Sequence, residues 1–461
     1  SFRYPSYDDG ERALLFDKAD LTIAEKERVL ILAPFNSGKS TLAKIISGVC
    51  PKYFPGTLDG KISLFGVEIN TVDPWDLLTD CGYVSQNPTE QLIATTVEEE
   101  IAFPLESLGL DHSEMHARVT AALEKWGLGA FRKQSSKVLS GGERKRVLLA
   151  TTEAINPRLW LLDEPFDDLD LHWKTVLKDR LLTEDKTTVV LASRYLTEFD
   201  TLFDRVLLLE EGRFIEAQQD TLLKRFATLC GDDLPNPLLT LRAHTFERAH
   251  TLHTDDLIAY RNSAERSFSL ASDTFSLQSG ELVSLQGPNG SGKSFFSRLL
   301  AGLEEPAAGT VLLDGEVLQS RSRNRTVGYL FQNPDLQIFL PTVREELAWS
   351  LQRRRDLTAE RIEEQVAEAA DRFGLSLTDT PATMSYPLRK ALQAAVYYLL
   401  DRPFYILDEL DSALTYHAAL SIIATLAEGG AGILLITHDR HFASLVGSRG
   451  YTIEAGRVVA R

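Results

Sequence analysis

The chain has 461 residues, more than one ordinary core holds, and its 49 basic against 66 acidic residues give a formal net charge of −17. That balance argues against a general binder of phosphate backbone, which needs a basic face. Apolar residues at 44% and charged residues at 25% are ordinary for a soluble globular protein, and no apolar run approaches the roughly 18 residues of a membrane span. Cys50, Cys81 and Cys230 are few and scattered, which suits a reducing cytosol and no disulfide framework, and no run reads as a secretory leader.

In chain order, a short apolar strand, VLIL, leads into APFNSGKST (33–41). A glycine-bearing loop between strand and helix turns main-chain N–H groups and a helix N-terminus toward phosphate. Next comes VSQNPTEQLIATTVEEEIAF (84–103), where a helix is expected after QNP, with Asn as cap and Pro in the first turn. LSGGERKR (139–146) follows, its ERKR read as a charged helix face, and then the apolar strand of RLWLLDEPFDDLD (158–170), ending in two carboxylates. GDDLPNP (231–237) is a turn-rich break.

The series then repeats. GPNGSGKS (287–294) fits G-x-x-x-x-G-K-[ST] in full. LFQNPDLQIFLPTVREELAW (330–349) matches the first QNP segment, and PFYILDELDSALT (403–415) the first Asp-Glu strand. Ser140 to Asp163 spans 23 residues, as does Ser385 to Asp408. Asp163 to Arg194 spans 31 and Asp408 to His438 spans 30. The chain is a tandem duplication of an α/β unit with a largely parallel sheet, read as residues 1–232 and 255–461 joined by a linker over 233–254.

The copies differ. The second loop supplies Gly287, Pro288, Asn289, Gly290, Ser291, Gly292, Lys293 and Ser294, followed by Phe295. The first begins at Ala33 and carries Phe35 and Asn36 before Ser37, Gly38, Lys39, Ser40 and Thr41. Ala33 costs little if its φ stays below zero. Where the first half has LSGGE the second has MSYPL (384–388). Lys293 would reach the β- and γ-phosphates and Ser294 would hold Mg²⁺, and the first loop, with Lys39 and Ser40 kept, is expected still to bind nucleotide. Asp163 and Asp408 suit the metal's shell, and Glu164 and Glu409 a water to be activated.

This order of motifs resembles the ATP-binding-cassette (ABC) ATPases over nearly the whole chain, twice. The resemblance implies two P-loop domains, each with a RecA-like parallel core, an antiparallel β part and a helical subdomain. It makes Gln86 and Gln332 the Q-loop glutamines, close to the metal with Ser40 and Ser294. It makes Ser140, Gly141, Gly142 and Glu143 the signature, His438 the switch histidine and Arg194 its replacement. Tyr4 and Tyr260, 35 and 33 residues before the loop lysines, look like adenine-stacking aromatics. In that family the halves form a head-to-tail pair, so each nucleotide meets one half's loop and the other half's signature. Site two then has Lys293, Gln332, Asp408, Glu409, His438 and the intact signature. Site one has the altered loop, Arg194 and MSYPL, whose Pro387 has no N–H to give. One hydrolytic and one degenerate site are expected.

The QNP-x-x-Q segments also look like those of energy-coupling-factor ATPases. That implies ATP and Mg²⁺ as cofactors, the cytoplasmic face of the membrane, a membrane scaffold and a substrate-binding membrane subunit. Glu98, Glu99, Glu100, Glu345 and Glu346 are candidates to face basic helices of that scaffold. The alternatives are an ATPase of another ABC transporter type and a soluble tandem ABC protein acting on ribosomes or DNA. His244, His250 and His253 read as a polar linker rather than a metal site, and Trp126 and Trp349 as packing residues of the helical inserts.

Overall fold

The structure, a computed structural model, describes residues 1–5, 14–34, 37–73, 76–196, 199–241, 250–262, 267–272, 275–352, 354, 356–412, 414–447 and 449–461. Phe35, Asn36 and His244 lie outside them. The chain forms two compact units, Ser1–Cys230 and Gly231–Arg461. Leu238, in the short helix Leu238–Leu241, is buried in the core of the second unit, and strand Thr251–Asn262 pairs within its sheet. Much of the expected linker over 233–254 therefore belongs to the second unit.

In the first unit a six-stranded sheet has Arg28–Leu32 flanked by Thr187–Ala192 and Arg205–Glu210, with Leu159–Asp163 and Cys81–Val84 beyond. These five strands are parallel, and Arg213–Ile215 closes the edge as an antiparallel hairpin. Leu159–Asp163 and Thr187–Ala192 are buried at every position. Apolar runs without alternation give that outcome when helices cover both faces of a parallel sheet.

The second unit repeats the parallel order with Gly450–Glu454, Leu282–Gln286, Gly432–Ile436, Phe404–Asp408 and Val327–Leu330. Its antiparallel part, built on Thr251–Asn262, joins the same sheet through Ser267–Ser272 and Arg457–Ala460.

Each unit also carries helices that pack on one another beside the sheet. In the first, Val97–Ser107, His112–Lys125 and Gly141–Ile155 bury Val97, Ile101, Leu105, Val119 and Leu123 together. Trp126 is fully buried and donates its indole N–H to Glu153 at 2.8 Å. Trp349 is 44% exposed, so only the first tryptophan is a core residue.

The segment after each QNP is shorter than expected. Asn87 and Asn333 cap Thr89 and Asp335 N–H, but each helix is a single 3₁₀ turn, Pro88–Glu90 and Pro334–Leu336. The α-helices begin later, at Thr96 and Thr342, each with a capping box to Glu99 or Glu345. Among the described residues no helix is long and apolar enough to cross a membrane.

Candidate functional site

In both units the central strand runs into the phosphate-binding loop and then a helix, Lys39–Ile46 or Lys293–Leu300. Gly38 and Gly292 precede these helices at φ 92° and 100°. A Cβ on Gly292 would stand 2.5 Å from the Phe268 ring, so glycine is required by both backbone and space. Gly287 has φ 150°, and Gly290 has φ 75°. Ala33, by contrast, is absent from the positive-φ positions and is fully buried, so its methyl group is accommodated.

The two loop lysines have different partners. Lys39 donates to Asp163 at 2.6 Å and lies 3.2 Å from Glu164. Ser40 donates to the other oxygen of Asp163 at 2.7 Å. Lys293 instead donates to the carbonyls of Gly287 and Pro288 at 2.8 and 2.9 Å. Asp408 accepts from the Tyr329 hydroxyl at 2.7 Å. Ser294 sits half-buried in the first turn of its helix. A hydroxyl and a carboxylate meeting at a strand end, as Ser40 and Asp163 do, are hard oxygen donors that fit Mg²⁺.

Glu164 and Glu409 both end a buried strand at positive φ, 48° and 51°. Each N–H bonds the adjacent strand, at Leu191 and Ile436. Gln332 donates its amide to Glu409 at 2.6 Å, and His438 Nε2 lies 3.3 Å from the other carboxylate oxygen. Burial and the neighbouring Asp408 push the Glu409 carboxyl up to about 7, against the pull of Lys293. Burial also raises Glu164, although Lys39 opposes the shift.

The register corrects the switch position. Asp163 pairs with Leu191 and Asp408 with Ile436. Two residues on from each partner stand Ser193 and His438, so Ser193 is the counterpart of the histidine and Arg194 falls one residue beyond. Ser193 donates its N–H to Glu164 at 2.7 Å and its hydroxyl to the same oxygen. Arg194 donates to Asp167 at 2.7 Å, both side chains being nearly covered. The signal was present in the sequence: thirty residues separate Asp163 from Ser193, as they do Asp408 from His438. The charged Arg194 drew attention from the correct spacing.

Ser140 caps the helix Gly141–Ile155 and forms a capping box with Glu143, placing Gly141 and Gly142 in the first turn. ERKR is not a solvated face. Lys145 is fully buried and donates to the carbonyls of Ser85, Gln86 and Glu164 at 3.0 to 3.2 Å. Arg146 donates to the Trp126 carbonyl at 2.8 Å and lies over the Trp173 ring. In the second unit Ser385 caps Tyr386–Leu400 without a side-chain bond. Pro387 stands in the first turn, and the helix survives it.

The acidic helix starts face inward more than expected. Glu100 accepts the N–H groups of Ile93 and Ala94, and Glu346 those of Phe339 and Leu340, all within 3.0 Å. Glu98 pairs with Arg132 and Lys133, and Glu99 and Glu345 complete the capping boxes. A negative cluster beside exposed N–H groups is satisfied locally, which leaves little of it for a partner. The second glutamine of QNP-x-x-Q also has a local role: Gln91 and Gln337 each donate to a strand carbonyl, at Tyr83 and Tyr329, at 2.8 Å.

Tyr260 is 61% exposed, as a stacking platform must be. Tyr4 is half-buried, with its hydroxyl 2.8 Å from Thr41 Oγ1 and its ring edge-on to Phe2. Phe295, at the position of Thr41, is buried against Phe268. His250 pairs with Asp314 at 2.7 Å, and no group of metal-ligating side chains occurs among the described residues.

Comparison with known proteins agrees with this geometry. A family model described as "ABC transporter" matches residues 16–167 and 270–412. A protein of Treponema denticola, provisionally named an ABC transporter ATP-binding protein, is 28% identical over 464 residues, 95% of this chain and 91% of its own. A Bacillus subtilis protein, provisionally named an HMP/thiamine import ATP-binding protein, is 28% identical over 479 residues, 95% of this chain and 86% of its own. Among solved structures, one named RNase-L Inhibitor superposes with TM-score 0.62 at 21% identity, over 94% of this chain and 86% of its own, a likeness of fold. The chain belongs to the ABC transporter family and is an ATP-hydrolysing ABC ATPase with two cassettes in one polypeptide.

Proposed function

We propose that the chain is the ATPase subunit of an energy-coupling-factor type importer for a vitamin or metal ion, with one hydrolytic and one degenerate ATP site. The observation that carries the asymmetry is the pair of partners at the strand-end glutamates. Glu409 has the Gln332 amide and the His438 imidazole, and Glu164 has the short Ser193 at the switch position and the loop's Lys39 at 3.2 Å. A carboxylate placed beside an amide and an imidazole can hold a water for attack on a γ-phosphate and accept its proton. Lys293 and His438 face the charge that develops. Mg²⁺, held by Ser294, Asp408 and Gln332, would neutralise phosphate charge.

In this reading the halves pair head to tail, and Ser140, Gly141, Gly142 and Glu143 complete the site of Lys293. The altered loop of Ala33, Asn36, Ser37, Gly38, Lys39, Ser40 and Thr41 binds a second ATP with Gln86, Asp163, Glu164 and Ser193 nearby. Tyr260 and Tyr4 stack on the adenines. The import role is supported by the 28% identity, over most of both chains, to the relative named for HMP/thiamine import. The chain would sit on the cytoplasmic membrane face beneath a scaffold and a substrate-binding subunit.

Steady-state ATPase of Glu409→Gln and Glu164→Gln, in the assembled complex where the isolated chain is silent, tests the asymmetry. Loss of turnover in the first and retention of most in the second is expected. Equal losses refute it. Co-purification with membrane subunits supports the importer, and salt-sensitive co-sedimentation with ribosomes refutes it.

A further inference from the structure

The substitution that removed the first signature glycine in the second half introduced a tyrosine with a specific partner. Tyr386 donates its hydroxyl to the main-chain carbonyl of Gln332 at 2.7 Å. The side-chain amide of the same Gln332 donates to Glu409 at 2.6 Å. A two-step connection thus runs from the altered signature segment to the strand-end glutamate of the same unit.

The first unit shows what this connection replaces. There Gly141 has no side chain, and the matching carbonyl, that of Gln86, is held by Lys145 Nζ at 3.0 Å. The counterpart of Lys145 is Lys390, 245 residues on. Lys390 keeps the bond to the glutamate carbonyl, Glu409, at 2.6 Å. It otherwise turns to the Leu410 carbonyl and the Ser412 hydroxyl, at 3.2 and 2.7 Å. The tyrosine has taken over one of the lysine's acceptors, and the lysine now braces the turn after Glu409. A part-buried carbonyl left without a donor is costly, so the two changes are mutually dependent.

We propose that Tyr386 is a positioning residue for hydrolysis in its own half, holding Gln332 so that the glutamine amide stays on Glu409. This rests on the reading of Glu409 as the residue that activates water. It gives MSYPL a role other than loss of a phosphate contact: the segment was refitted to steady the opposite end of its own unit's reaction centre.

The test is a double-mutant cycle in the full chain. Tyr386→Phe removes the hydroxyl and keeps the ring. The expected result is a fall in kcat of about tenfold with the KM for ATP within about twofold, as small misplacements of a reacting group give. In a Gln332→Ala background the same change should add less than about twofold, since the side chain it positions is gone.

Equal losses in both backgrounds, or wild-type kcat in Tyr386→Phe, overturn the proposal. Tyr386→Gly separates the alternative. If the tyrosine merely blocks a signature contact, glycine raises turnover; if it positions Gln332, glycine lowers it as phenylalanine does. Glu409→Gln run alongside distinguishes the two layers: retained turnover there refutes the assignment of Glu409, whereas its loss beside an unaffected Tyr386→Phe refutes only the positioning role.

Discussion

Glu409 and His438 face each other at 3.3 Å, carboxylate oxygen to Nε2, with both side chains largely covered. Burial and Asp408 raise the carboxyl to about 7 from its ordinary 4.5. Two opposite pH trends follow. Turnover should rise with pH through about 7, as the carboxylate able to accept a proton forms. Stability should run the other way. The folded chain binds this proton more tightly than the unfolded chain, so stability falls as pH rises from about 4.5 to about 7. Glu409→Gln removes that loss, and its second unit should gain on the order of 3 kcal/mol at pH 8 and almost nothing at pH 4.5. Thermal unfolding at the two pH values measures the difference.

Arg194 and Asp167 make a covered ion pair at 2.7 Å. Removing either partner leaves a buried charge, so Arg194→Ala or Asp167→Ala should cost about 3–5 kcal/mol. The double variant should cost much less than the sum. Denaturant unfolding of the four proteins gives the coupling, and an additive result would show that Arg194 has a different main partner.

Glu346 accepts two main-chain N–H groups, from Phe339 and Leu340. Glu346→Ala should destabilise the second unit by about 2–4 kcal/mol, since two donors lose one acceptor. Glu346→Gln keeps an acceptor oxygen and should cost less than half as much. Glu100 holds Ile93 and Ala94 in the same way, and the same ordering is expected of its variants.

Lys39 is held by Asp163 and Glu164, and Lys293 by carbonyls of its own loop. If both loops take nucleotide, equilibrium binding should give two ATP per chain, and Lys39→Ala and Lys293→Ala one each. Only Lys293→Ala should abolish turnover. A stoichiometry of one in the unmodified chain would refute binding at the first loop.

The sequence disclosed the duplication, the two phosphate-binding loops and the parallel strands because each depends on local pattern. The GKS glycines demand positive φ, and the central strands are largely apolar. It disclosed the strand-end glutamates for the same reason. What it hid depended on which side chain meets which carbonyl. Lys145 reads as surface charge in ERKR, yet it is fully buried on three carbonyls. Glu100 and Glu346 read as an acidic face, yet they turn inward to N–H groups that no pattern announces. Ser193 was missed because residue type outweighed register. Tyr386 looked like damage to a motif, and its partner Gln332 lies 54 residues away.

The exchange of acceptors between Tyr386 and Lys390 ties the signature segment of the second half to the turn after Glu409. Restoring LSGGE in place of MSYPL would not simply return the second half to the state of the first. The Gln332 carbonyl would lose its tyrosine, and Lys390 would still be committed to Leu410 and Ser412. Restoring the first half's arrangement would therefore need Lys390 to turn back to the Gln332 carbonyl as Lys145 turns to that of Gln86.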